Sequence, residues 1–174
     1  MNRAEAGMTL IELVVVMALA AIVMVSVTAY SVPFMQKEAM RSATFDVQTH
    51  MQLARIEAVS RNRPCRFVVD TAQGKMEVLD GNGTPLTTSD DLLLYDAALP
   101  SHISFTDPQS GAAVTLESLG GGLFQTVFAS DGAVTSGAGA VKLHGGESYC
   151  QVSVFAAGGV QVAKWSGSAW YVGS

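Results

Sequence analysis

The sequence predicts an α+β fold, in which one long N-terminal helix packs on antiparallel β-sheets. Three observations predict it. Residues 13–32 form a charge-free apolar run. The chain then continues with apolar residues at spacings of three and four. After Pro64 the periodicity changes to short alternating segments separated by Gly, Asp, Ser and Pro. One helix followed by many strands is the order of an α+β domain. No internal repeat of roughly 20–50 residues interrupts it.

The run from Leu13 to Val32 is about 20 residues long, enough for a helix to cross a bilayer core of about 30 Å. It is too long for the apolar region of a secretory signal, and the chain passes from it into a helical pattern without a stop. Pro33 at its end predicts a kink or local loosening between Ala29 and Pro33, because proline removes one helical hydrogen bond. Charge does not orient the run. Arg3 and the starting amine are offset by Glu5, and Lys37, Glu38 and Arg41 sum to +1. Glu12 stands at the front edge of the run. A carboxylate there either lies near enough to the headgroups to stay hydrated or has a partner that the run itself does not supply.

Beyond Pro33, Met40, Ala43, Val47, Met51, Ala54 and Ala58 mark one face of an amphipathic helix. Lys37, Arg41, Gln48, Gln52 and Arg55 lie mainly elsewhere. The helix is expected to end before Pro64, helped by Asn62, giving a single helix of about 50 residues. The segments CRFVVD and KMEVLD around TAQG read as a hairpin. HISFTD, AVTLES, LFQTVFAS, AVKLHG, YCQVSVF, VQVAKW and WYV read as further strands. LYDAALP is ambiguous, with a short helical turn as one reading.

The totals exclude several functions. The chain has 174 residues, of which 49% are hydrophobic, a mean hydropathy of +0.31 and a net charge of −5 with a pI near 5.0. The hydrophobic excess sits in the first thirty or so positions, and the remainder suits one domain with one core. The acidic balance argues against a general nucleic-acid binder. His50, His102 and His144 are scattered and adjoin no nucleophile motif. LGGGLF lacks the lysine of a phosphate loop. Asp80, Asn82 and Asp91 weakly echo a calcium loop, but Pro85 replaces the sharp-turn glycine and the closing Glu is absent, so a plain hairpin loop is expected. No catalytic residue, metal or cofactor is expected, and the chain does not read as an enzyme. Cys65 and Cys150 fit no metal spacing. They form either a long-range disulfide, if the body lies outside the cytoplasm, or two buried free thiols.

The segment GMTLIEL, with Gly7, Met8, Thr9, Leu10, Ile11 and Glu12 ahead of the charge-free run, resembles the N-terminal signal of type IV pilins and type II secretion pseudopilins. The resemblance implies cleavage by a prepilin peptidase between Gly7 and Met8, and N-methylation of Met8. It also implies that Glu12 docks the subunit by neutralising the N-terminal amine of a neighbour. A second stretch, QLARIEAVSRNRPCRFVVD, is similar to the helix-to-strand junction of the GspH/FimT group, on Ala54, Arg55, Glu57, Ala58, Arg61, Asn62, Arg63 and Pro64. Near the far end, Phe128, Asp131, Gly132, Val141, Leu143, Val152, Val154, Gly159 and Val160 resemble the same group. The likeness is weakest from Asp80 to about Leu123.

This resemblance implies a pilin-like architecture. Residues 1–7 would be a leader, 8–34 a transmembrane and filament-core half-helix, 35–62 an amphipathic half-helix, and 63–174 a periplasmic β-rich body. It implies a minor pseudopilin or minor pilin near the tip of a type II secretion pseudopilus or a type IV pilus, supporting filament initiation and protein secretion. The subunit would be held by a single pass in the bacterial inner membrane before assembly. Its partners would be other major and minor subunits, prepilin peptidase and the inner-membrane assembly platform. The presence of Glu12 implies a place below the outermost tip subunit, which often lacks that Glu. The alternative is a DNA-binding minor pilin of natural transformation. Some FimT-like chains are thought to bind DNA through a basic C-terminal motif, but this tail offers Lys164 alone, with Trp165 and Trp170. The remaining basic cluster is Arg55, Arg61, Arg63 and Arg66. A nucleic-acid partner is therefore disfavoured.

Overall fold

The structure is a computed structural model that describes residues 9–81 and 91–172, and of residues 26–33 the helical backbone alone. Gly7, Met8 and most of the segment between Asp80 and Asp91 lie outside the described residues. The chain divides into two units, Met1–Gln36 and Lys37–Ser174. Helix α1, Leu10–Arg61, is 52 residues long and continues through Pro33, where the sequence suggested a loosening. Its end is a left-handed cap. Asn62 has φ 52°, the Arg63 N–H donates to Ala58 O at 3.1 Å, and the Asn62 N–H donates to Val59 O at 3.3 Å. This is a Schellman arrangement, which satisfies the last carbonyls before Pro64.

Among the described residues, eleven strands follow α1. The first sheet contains β1 (Cys65–Asp70), β2 (Lys75–Asp80), β3 (Leu92–Ala98), β5 (Glu117–Gly120) and β6 (Leu123–Phe128), in the order β3-β2-β1-β6-β5, with β7 (Val134–Ser136) also on β6. The second contains β4 (Ser104–Phe105), β8 (Gly139–Gly145), β9 (Ser148–Val154), β10 (Val160–Trp165) and β11 (Trp170–Val172), in the order β11-β10-β9-β8-β4. All of these pairings are antiparallel.

One hydrophobic cluster joins the helix to both sheets. Met40, Ala43, Val47, Met51, Ala54 and Ala58, the stripe expected from spacing, are all at most 2% exposed. They pack in a cluster with Phe67, Val69, Met76, Val78 and Phe128 of the first sheet and with Val141, Leu143, Val152 and Val154 of the second. Alternation along each strand explains the face. In β9, Cys150, Val152 and Val154 are buried while the residues between them are half-buried.

Two expectations are corrected. LYDAALP is not a helical turn: Leu92–Ala98 is an edge strand paired to β2, with a bulge between Val78 and Leu79. Its exposed Leu92, Leu93 and Tyr95 hid the inside–outside alternation on which strand reading depends. AVTLES is only partly a strand, since Val114 makes a lone bridge to Val141 and β5 begins at Glu117. Cys65 and Cys150 are free and buried. They lie in different sheets, on β1 and β9, and both belong to the one hydrophobic cluster. Burial, with the Asp80 carboxylate adding to it, pushes the Cys65 thiol up to about 11.

Candidate functional site

The start of α1 gives Glu12 a defined place. The Leu13 N–H makes the first helical bond to Thr9 O at 3.2 Å, and Thr9 Oγ1 accepts the Glu12 N–H at 3.3 Å. Thr9 is therefore the N-cap, and Glu12 is the third helical residue. Thr-Leu-Ile-Glu thus has the spacing of a capping box, a local signal that the sequence reading missed. An acidic side chain in the first turn also suits the positive end of the helix dipole.

Around Glu12 the helix is bare. Every described side chain from Thr9 to Val25 is exposed, from Leu10 at 83% to Val25 at 70%. The apolar residues lie on all faces, so no polar side is available to water. Among the described residues no helix is long and apolar enough to cross a membrane, and the described side chains of the apolar run stop at Val25.

At the other end of α1, Arg55 ties two turns to the helix. Its Nε donates to Gly132 O at 3.1 Å. Gly132 closes the turn after β6, where the Ala133 N–H donates to Asp131 Oδ1 at 2.9 Å. Gly158 closes the turn between β9 and β10, where its N–H donates to Phe155 O at 2.8 Å. The turns are joined directly by the Val134 N–H donating to Ala156 O at 2.9 Å. Gly158 has φ +79°, and a Cβ on it would overlap the Gly132 carbonyl oxygen. Gly159, singled out from the sequence, has no such restriction and meets only Phe155 at 3.9 Å. The Asp-Gly and Gly-Gly signals were visible in the sequence, but their convergence on Arg55 was not.

The basic cluster near the helix end is drawn into the fold. Arg61 Nε pairs with Glu57 Oε2 at 2.6 Å, and its NH1 with Asp80 Oδ2 at 3.3 Å. Arg66 is buried on β1, with its Nε 3.5 Å from Asp91 Oδ2. The glutamate and aspartate hydrogen bonds hold the exposed Arg61 guanidinium above its usual range. Asp80 and Asp91, the ends of the calcium-like segment, therefore face arginines. No group of three or more metal-ligating side chains occurs among the described residues. His50 Nδ1 lies 2.7 Å from Asp46 O, and His144 stacks on Tyr149 with ring centroids 4.3 Å apart. Both have packing roles. Trp165 and Trp170 pair across β10 and β11 at 5.3 Å, and both are half-buried. Glu12 belongs to the first unit, and the two cysteines to the second.

Residues 43–158 match the family described as Type II transport protein GspH. The chain belongs to that family. Residues 2–28 match the prokaryotic N-terminal methylation motif, so Gly7, Met8 and Glu12 all fall inside it. No curated protein matches the chain. Among solved structures it is similar to the type IV minor pilin FimU of Pseudomonas aeruginosa (strain PAO1). In one crystal form the identity is 14% and the TM-score 0.53, over 80% of this chain and 97% of FimU. In a second form the TM-score is 0.49, also at 14% identity, over 75% and 96%. The first likeness shows a shared pilin-like α+β fold. In this GspH-family chain, Arg55, Gly132 and Gly158 fall within the matched region, and they serve architecture rather than chemistry.

Proposed function

We propose that this chain is a minor pseudopilin or minor pilin, a structural subunit with no catalytic role. Prepilin peptidase would cut between Gly7 and Met8 and methylate the new amine. The apolar half of α1 would hold the subunit in the bacterial inner membrane by a single pass, with the body in the periplasm. Through the assembly platform it would then enter a short filament, near but below the tip, beside other major and minor subunits. There it would support filament initiation, for secretion or for a pilus.

The observation that carries this reading is the bare apolar helix of Leu10 to Val25, headed by Glu12 within an N-terminal methylation motif. Such a surface needs a cover from outside the chain, lipid first and neighbouring helices afterwards. Among those neighbours an unpaired carboxylate is costly, so pairing Glu12 with a neighbour's amine would select register more than it adds stability. Intact mass of the membrane-extracted protein tests processing. Loss of residues 1–7 plus one methyl group is expected, and an uncut N-terminus overturns the reading. Glu12→Ala should abolish co-assembly with partner subunits while leaving the body folded, and unchanged co-assembly would remove the docking role.

DNA capture is the weaker reading, since Arg55, Arg61 and Arg66 are engaged within the fold. A gel shift at low salt and micromolar protein separates the two.

A further inference from the structure

A groove of about 800 Å³ opens in the second unit, between the first turns of its helix and the outer strands of the second sheet. Lys37 and Arg41 line it from the helix, and Lys164, Trp165 and Tyr171 line it from β10 and β11. Lys164 is in register with both Cys150 and Tyr171, on the helix-facing side of the sheet. The sheet outruns the helix packing there, so Lys164 and Tyr171 are exposed rather than buried.

We propose that this groove takes the headgroup of an anionic phospholipid, seating the body on the membrane surface. The inference rests on the reading that residues 13–32 are held in a membrane. Lys37 and Arg41 come five and nine residues after Val32 in the sequence. At the rise of a helix that is about 7.5 and 13.5 Å. A headgroup layer is about 5–8 Å thick on each side of the hydrocarbon. Lys37 thus falls within that layer, and Arg41 lies just beyond it with a long side chain able to reach back. Trp and Tyr, with an apolar body and a polar tip, are the aromatic residues that collect at this depth.

Charge selects the ligand. Glu38 and Glu147 also line the groove, so its three cations exceed its acids by one. One excess charge suits a single phosphate. A polyanion such as DNA would meet those acids and a chain of net charge −5.

Trp165 lines the groove and pairs with Trp170, the other tryptophan of the chain, so intrinsic fluorescence reports on this end of the second sheet. The test uses the full chain in nanodiscs of phosphatidylcholine, alone or with increasing phosphatidylglycerol, and a trace lipid carrying a nitroxide on its headgroup. Quenching should rise with phosphatidylglycerol. In Lys164→Gln the phosphatidylglycerol fraction at the midpoint should move up about fivefold. Lys164 is exposed, and an unchanged unfolding midpoint would show that this variant is folded. Absence of quenching, or quenching indifferent to both phosphatidylglycerol and Lys164→Gln, overturns the proposal, while carbonate-resistant membrane association shows that the anchor still stands. A chain released by carbonate brings both readings down together. A fluorescence change produced by a single-stranded oligonucleotide in phosphatidylcholine nanodiscs, with none from phosphatidylglycerol, overturns the lipid in favour of nucleic acid.

Discussion

The two halves of α1 share one backbone geometry and differ in how their side chains are covered. From Met40 to Ala58, six residues at spacings of three and four are buried under two sheets, and the residues between them are mostly polar or exposed. From Leu10 to Val25, apolar residues crowd every face and none of the described ones is buried. In the second half, Ala43, Ala54 and Ala58 let the sheets come close. In the first half, Leu, Val, Ile and Met offer bulk in all directions, and the described side chains are exposed. The second half is written for the protein's own core, whereas the first carries its apolar side chains exposed on every face. Helix propensity does not separate them, because both are helical; the distribution of bulk around the axis does.

The largest effect that tests this contrast is a truncation in each half. Met51→Ala should cost the body about 2–5 kcal/mol in urea unfolding of the detergent-solubilised chain. Leu13→Ala should change the same transition by less than about 0.5 kcal/mol. Comparable losses from both would break the contrast. Next in size is the pair of neighbouring glycines. Gly158→Ala forces a left-handed residue with a Cβ against the Gly132 carbonyl, and should cost about 1–3 kcal/mol. Gly159→Ala, with ordinary φ and van der Waals contact only, should stay within about 0.5 kcal/mol. Equal effects would mean that the Arg55 junction does not depend on the close approach of its two turns.

Periodicity made the helix stripe and the β1–β2 hairpin legible, because both divide their residues cleanly between core and solvent. The same rule failed at β3, whose Leu92, Leu93 and Tyr95 are exposed, and at β7, whose three residues are too few to show a period. The Arg55 junction joins residues 77 positions apart, and no local pattern encodes such a meeting. The N-terminal signal was the most legible part, since Gly7, Met8 and Glu12 carry it at fixed offsets. Its second meaning, Thr9 capping the helix through the Glu12 amide, was equally present in Thr-x-x-Glu and went unread. The fates of Arg61 and Arg66 depended on Asp80 and Asp91, placed by strand pairing, so a basic cluster in sequence became ion pairs in the fold.

Two smaller effects sharpen the contrast further, one at the start of the helix and one in the body. Thr9→Ala removes the N-cap and should destabilise the helix start by about 1 kcal/mol. Hydrogen exchange at residues 10–13 should quicken several-fold while the amides from Met40 to Ala58 keep their protection. Loss of protection in both would mean that the first turn is coupled to the core. In the body, the Asp107 carboxyl is held below its usual range by a 2.7 Å bond from Lys142 Nζ and a 3.1 Å bond from the Gln109 N–H. A depressed native pKa means that folding favours the ionised form. Its contribution is therefore complete above the unfolded-state value and is lost as pH falls through the native one. Asp107→Asn should be less stable than the parent at neutral pH, and the two should converge in strong acid. A constant difference across that range would show that Asp107 acts through packing of its loop, without its charge.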